Sequence, residues 1–103
     1  MTTNGFIKRL QQLNPEIRTK FRAKVKGVFG SYVRGEQGLT SDLDVLVAFN
    51  SGATLLDFVG LGLYLEEKLG VRVDVVPIDA IKEELKEEIL HETVPVGETP
   101  GFI

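Results

Sequence analysis

Two short runs of aliphatic and β-branched residues constrain this chain most: DLDVLVAF over 42–49 and VRVDVVP over 71–77. Both have the length and composition of strands, and both carry aspartates inside the run. Between them, Asn50-Ser51-Gly52 reads as a loop. Thr54 then caps an apolar helix that runs to about Leu69, with Gly70 as its stop. Strand, helix, strand is therefore the centre of the fold.

The flanks are read from the same signals. Phe6, Leu10, Leu13 and Ile17 recur at helical spacing. The pair Asn14-Pro15 interrupts that stripe. It predicts a helix over 3–13 and a second short turn capped by Asn14. Residues 24–29 (KVKGVF) predict a strand ending at Gly30-Ser31. Asp79 predicts the cap of a last helix reaching about Glu92, with Ile81, Leu85 and Ile89 on one face. The remaining VPVGETPGFI, rich in Pro and Gly, predicts an extended tail. The expected class is α/β (α+β), a small mixed sheet with helices packed mainly on one face. One domain over 1–96 and a tail over 97–103 are expected.

Composition limits the chemistry. Among 103 residues there is no cysteine and one histidine, His91. Thiolate and His-cluster metal sites are thereby excluded, and any metal must take oxygen ligands. The net charge of −3 argues against direct nucleic-acid binding over a broad basic face. The basic residues Arg18, Lys20, Arg22, Lys24 and Lys26 read as a solvated strand entry. The apolar stretch over 55–65 is too broken and short to span a bilayer, and the N-terminus has no signal pattern. These features predict a cytoplasmic protein that binds neither membrane nor nucleic acid.

The acids are the chemical signal. Asp42 and Asp44, two apart on a strand, share one face, leaving Leu43, Val45 and Val47 for the other. Paired carboxylates repel, and a divalent cation between them relieves that repulsion. A solvated strand face explains the pair equally well. Asp74 lies inside what reads as a central strand, where an unpaired carboxylate is costly. Either a salt bridge to Arg72 or a shared site with Asp42 and Asp44 accounts for it. Upstream, glycine at Gly30 permits close backbone approach, and Ser31 at a helix start offers N–H groups and a hydroxyl to an anion. Arg34, one turn on, reaches phosphate oxygens in that reading. The plain alternative for Gly30-Ser31 is a strand-to-helix turn.

In combination the residues read GSYVRGEQGLTSDLDVLV, followed by VDVV, with ten residues between Ser31 and Asp42. This pattern resembles the DNA polymerase β-type nucleotidyltransferase superfamily, and the short length resembles its minimal, MntA-type antitoxin members. The likeness covers residues 20–92, and nothing in the motif departs from the family. The resemblance implies a polymerase β-like nucleotidyltransferase palm. It implies that Gly30 and Ser31 hold the phosphates of ATP, which Arg34 is placed to meet, and that Asp42, Asp44 and Asp74 are catalytic and bind two Mg²⁺ ions, or Mn²⁺. The implied acceptor is a tyrosine hydroxyl on a HEPN-type toxin partner. A binding-only antitoxin and a transferase for a small-molecule hydroxyl are the alternatives. The helix over 54–69 is apolar nearly all round, which suits a protein interface, homo-oligomeric or with a toxin. Glu83, Glu84, Glu87 and Glu88 read as a solvated face, and His91 as structural.

Overall fold

Helix α1 (Thr3–Phe21) is a single helix of 19 residues, with Pro15 inside it. The break expected at Asn14-Pro15 does not occur. An interior proline removes one ladder bond and costs about 3 kcal/mol. Against it stand Phe6, Leu10, Leu13 and Ile17, all buried on one unbroken stripe. Each such side chain contributes roughly 1.5–3 kcal/mol on burial, so the stripe wins. Thr2 caps the helix, its side chain accepting the Gly5 N–H. Asn14 does something else. Its Oδ1 accepts the Val25 N–H at 2.9 Å, and its Nδ2 donates to the Val25 carbonyl at 3.1 Å. This bonds α1 to the first strand. Arg22, at φ 54°, turns the chain into β1 (Ala23–Phe29). The basic cluster is therefore divided: Arg18 and Lys20 lie in the last turn of α1, where they favour the helix dipole, and only Lys24 and Lys26 lie on a strand.

The computed structural model describes residues 1–97. Beyond β1 come a four-residue helix α2 (Ser31–Arg34), β2 (Leu43–Phe49), α3 (Leu55–Leu69) and β3 (Val73–Pro77). A 3₁₀ turn (Ile78–Ala80), α4 (Glu83–Glu92) and β4 (Val94–Pro95) follow. The sheet order is β3-β2-β1-β4. β1 pairs antiparallel with β2 and with β4, while β2 and β3 are parallel. The sheet is mixed, as expected, and parallel pairing needs a crossover, which α3 supplies. A reciprocal capping box between Thr54 and Asp57 starts α3, and left-handed Gly70 ends it. Leu61, Leu65 and Leu69 of α3 join the α1 stripe over Val25, Val28, Leu43, Val45, Val47 and Val75. Both long helices thus cover one sheet face. At Gly60 an added Cβ would lie 3.1 Å from the Phe21 ring, so glycine lets α3 approach α1.

The C-terminal part departs from expectation. Asp79 falls in the 3₁₀ turn, and α4 starts behind Lys82 without a side-chain cap. No α4 residue is buried. Ile81 precedes the helix and Leu85 is 46% exposed, so the expected apolar face joins no core. The core-bearing face of the sheet is already taken by α1 and α3. The chain after α4 is not a tail at once: Val94–Pro95 forms a fourth strand on β1, Val96 is buried, and its N–H donates to the Lys26 carbonyl. A two-residue strand ending in proline gives no periodicity to read. Residues 98–103, most of the expected tail, lie outside the described residues.

Asn14→Ala leaves both part-buried polar groups of Val25 without their side-chain partner. The expected loss is about 1–3 kcal/mol, seen as a lower urea midpoint at unchanged slope. An unaltered midpoint would remove Asn14 from this role.

Candidate active site

The parallel ladder between β2 and β3 sets Asp44 directly beside Asp74, as Leu43 is set beside Val73 and Val45 beside Val75. Odd-numbered residues of β2 point into the helix-covered core, so Asp44 points to the open face. Asp42 precedes β2 on the same side and is exposed. The reading of Asp74 as buried in a central strand is corrected here. β3 is an edge strand and Asp74 is exposed, so burial is not what makes it unusual. Its register with Asp44 is. The alternative ion pair is also corrected: Arg72 bonds Asp42, Nε to Oδ1 at 3.0 Å, and its other end donates to the Thr40 carbonyl.

Asp44 records the strain of this placement. Its pKa is raised to about 6, first by burial, then by repulsion from Asp74 and from Asp42, with a hydrogen bond to Asp74 adding to the rise. Arg34 opposes the shift.

Gly30 closes the other side of Asp44. β1 ends with Phe29 paired to Asp44, and the next residue turns at φ 84°, ψ −156°. This conformation is essentially restricted to glycine. A Cβ at Gly30 would lie 1.9 Å from Asp44 Oδ2. The backbone therefore passes against the carboxylate itself. Ser31 then opens α2, whose Val33 and Arg34 N–H groups bond the Gly30 carbonyl. Arg34 is held by two carboxylates, Nε to Glu36 Oε1 at 2.8 Å and Nη1 to Glu92 Oε1 at 2.7 Å. Glu92 also accepts the Gly30 N–H at 2.8 Å. Sequence reasoning missed Glu92. It ends an acidic helix that reads as a solvated face, and no local signal reports a contact with a residue so distant in the chain.

The donor set is chemically suited to a hard cation. The carboxylates lie on one face and repel, and a divalent ion removes that repulsion. Among the described residues, no three metal-binding side chains are already gathered closely enough to hold an ion. Asp42 is turned to Arg72, so the pair already in place is Asp44 and Asp74.

The model of the nucleotidyltransferase domain family matches residues 6–96. The protein adenylyltransferase MntA of Thermococcus cleftensis is 46% identical over 80-odd residues, covering 79% of this chain and 82% of that one. A solved minimal nucleotidyltransferase structure superposes with a TM-score of 0.76 at 41% identity, covering 92% of this chain and 96% of the other. A toxin-antitoxin crystal structure with AMP-PNP shares the fold, with a TM-score of 0.67 at 23% identity over 96% of this chain and 75% of that chain. A glycine turn against an acid pair on a small mixed sheet is thus found in a chain that belongs to the nucleotidyltransferase domain family, as one of its minimal members.

Proposed function

We propose that this enzyme is a Mg-dependent protein adenylyltransferase antitoxin, which transfers AMP from ATP to a tyrosine hydroxyl of a HEPN-type toxin. The observation that carries the reading is the placement of Asp44 beside Asp74, with the Gly30 backbone against Asp44. The name of the Thermococcus cleftensis relative supports AMP transfer to protein, and the toxin-antitoxin neighbour of the same fold supports a toxin partner.

In this reading Asp44 and Asp74, with Asp42, would hold Mg²⁺, which would supply charge neutralisation at the phosphates and orientation for in-line displacement. The Gly30 N–H and Ser31 hold the β,γ-phosphates, and Arg34 offsets their charge. Asp74, exposed at the sheet edge, takes the proton of the acceptor hydroxyl. The acceptor oxygen bonds the α-phosphorus as the bond to the β-phosphate oxygen breaks, and pyrophosphate leaves. Positioning and charge stabilisation carry such a step, so no Cys or His nucleophile is required.

A protein acceptor suits the surroundings of Asp74. A groove of about 290 Å³ beside it is lined by Phe58, Val59, Gly62, Leu63, Val73 and Val75. Leu55, Leu56, Val59 and Leu63 of α3 are 50–83% exposed, an apolar surface that a partner would cover.

Two outcomes are expected. With Mg²⁺, α-labelled ATP and the toxin, wild type labels a toxin tyrosine, identified by mass spectrometry, and Asp44→Asn labels at least about a hundredfold more slowly. Equal labelling by the variant would remove Asp44 from the reaction, and complex formation without any labelling would leave the binding-only antitoxin in its place. The second outcome follows from the raised pKa of Asp44. Mg-ATP binding needs the ionised carboxylate, so affinity falls as pH drops through about 6. Stability of the free protein runs the other way. The folded state holds this proton more tightly than the unfolded chain, so the contribution is full below the ordinary 3.8 and is lost as pH rises through about 6. Thermal melts of wild type and Asp44→Asn across this range check the sign. A variant with the same pH profile as wild type would contradict it.

A further inference from the structure

One oxygen, Glu92 Oε1, accepts both the Gly30 N–H at 2.8 Å and an Arg34 guanidinium N–H at 2.7 Å. A backbone N–H and an arginine converging on one anionic oxygen is the contact a phosphate oxygen makes. These are the two donors assigned above to the nucleotide's phosphates. We propose that Glu92 is a latch on the nucleotide site. Its carboxylate occupies the phosphate donors in the free protein, and nucleotide binding displaces it, loosening the end of α4 and the β4 pairing that follows. The inference rests on the nucleotidyl-transfer reading above.

Three features carry it. First, a carboxylate and a phosphate cannot share the Gly30 N–H, and their like charges repel at that distance. Second, Glu92 is free to leave. No α4 side chain is buried, and Glu92 borders an open concavity of about 530 Å³ that it shares with Glu84, Glu87, Glu88 and His91. Arg34 stays oriented meanwhile, because Glu36 holds its Nε. Third, the displacement has somewhere to act. Glu92 is followed at once by Thr93, the methyl of which fills the space over Gly27, and by the two residues of β4. Among the described residues, β4 pairs with only Gly27 and Val28, and the Val96 N–H adds one bond to Lys26. A segment tied so lightly responds to the loss of one charged contact. Nucleotide occupancy is thereby read out at the β4 edge of the sheet, opposite the β3 edge that carries Asp74.

The test is the Mg-ATP dissociation constant of the full chain by calorimetry, for wild type and Glu92→Gln, paired with amide hydrogen exchange. Glu92→Gln keeps the size and an acceptor oxygen but removes the competing charge. The expected result is binding about tenfold tighter in the variant, from the loss of one charge-assisted contact. Saturating Mg-ATP should also speed exchange of the Val96 amide in wild type. Equal or weaker binding by the variant, or a Val96 amide that slows or holds its rate, overturns the latch. If both proteins bind Mg-ATP alike, the latch alone falls. If neither binds, the nucleotide reading falls and takes the latch with it.

Discussion

Parallel pairing of β2 with β3 brings Asp44 and Asp74 side by side, and the open face of the sheet is organised around their repulsion. Asp44 cannot move away. Val45 and Leu43 on either side of it are fully buried, and Gly30 blocks its flank. Burial first, and then this repulsion, raise its pKa, while Asp42 bonds Arg72. A free domain would be more stable with a neutral residue at position 44. An acid kept there at a cost in stability is what the proposed cation site would require.

The stability comes from the other face. α1 and α3 cover the sheet with Phe6, Leu10, Ile17, Leu61 and Leu65, each 2% exposed or less. The same packing holds the two strand ends rigid, so the acids are set by the core rather than by contacts among themselves. The C-terminal elements are lightly built: α4 buries nothing and β4 is two residues long, while the single turn of α2 is tied to α1 through Tyr32, whose ring meets Phe6 edge-on and whose carbonyl accepts the Thr3 hydroxyl. A core-fixed acid pair beside lightly packed C-terminal elements would suit the proposed nucleotidyl transfer, which must admit a nucleotide and an acceptor.

What could be read from the residues alone was local. The alternation over 42–49 places Asp42 and Asp44 opposite the core residues, and Thr54 with Gly70 bounds α3, because caps and periodicity are short-range signals. The spacing of the Gly-Ser turn and the acids points to the nucleotidyltransferase superfamily, and the family comparison agrees with that recognition. What was misread depends on partners far along the chain. Pro15 looked like a break because its cost is local, whereas the stripe that overrides it is paid back in the core. Asp74 looked buried because β3 has a central strand's composition, but strand order makes it an edge. A salt bridge to Arg72 is one of the two local explanations for Asp74, yet Arg72 bonds Asp42, which precedes β2. Glu92 and β4 gave no sign at all, since both are defined by contact with residues 27–34.

Joint binding of a divalent cation by Asp44 and Asp74 is the central proposal for this site. Titration of isotope-labelled protein with Mn²⁺, followed by paramagnetic broadening of backbone amide resonances, tests it without requiring a partner or turnover. The account predicts that broadening appears first at Gly30, Asp44 and Asp74 and is lost in Asp44→Asn. Broadening centred instead on the acidic face of α4, around Glu84 and Glu88, with Asp44 and Asp74 unaffected, would contradict it.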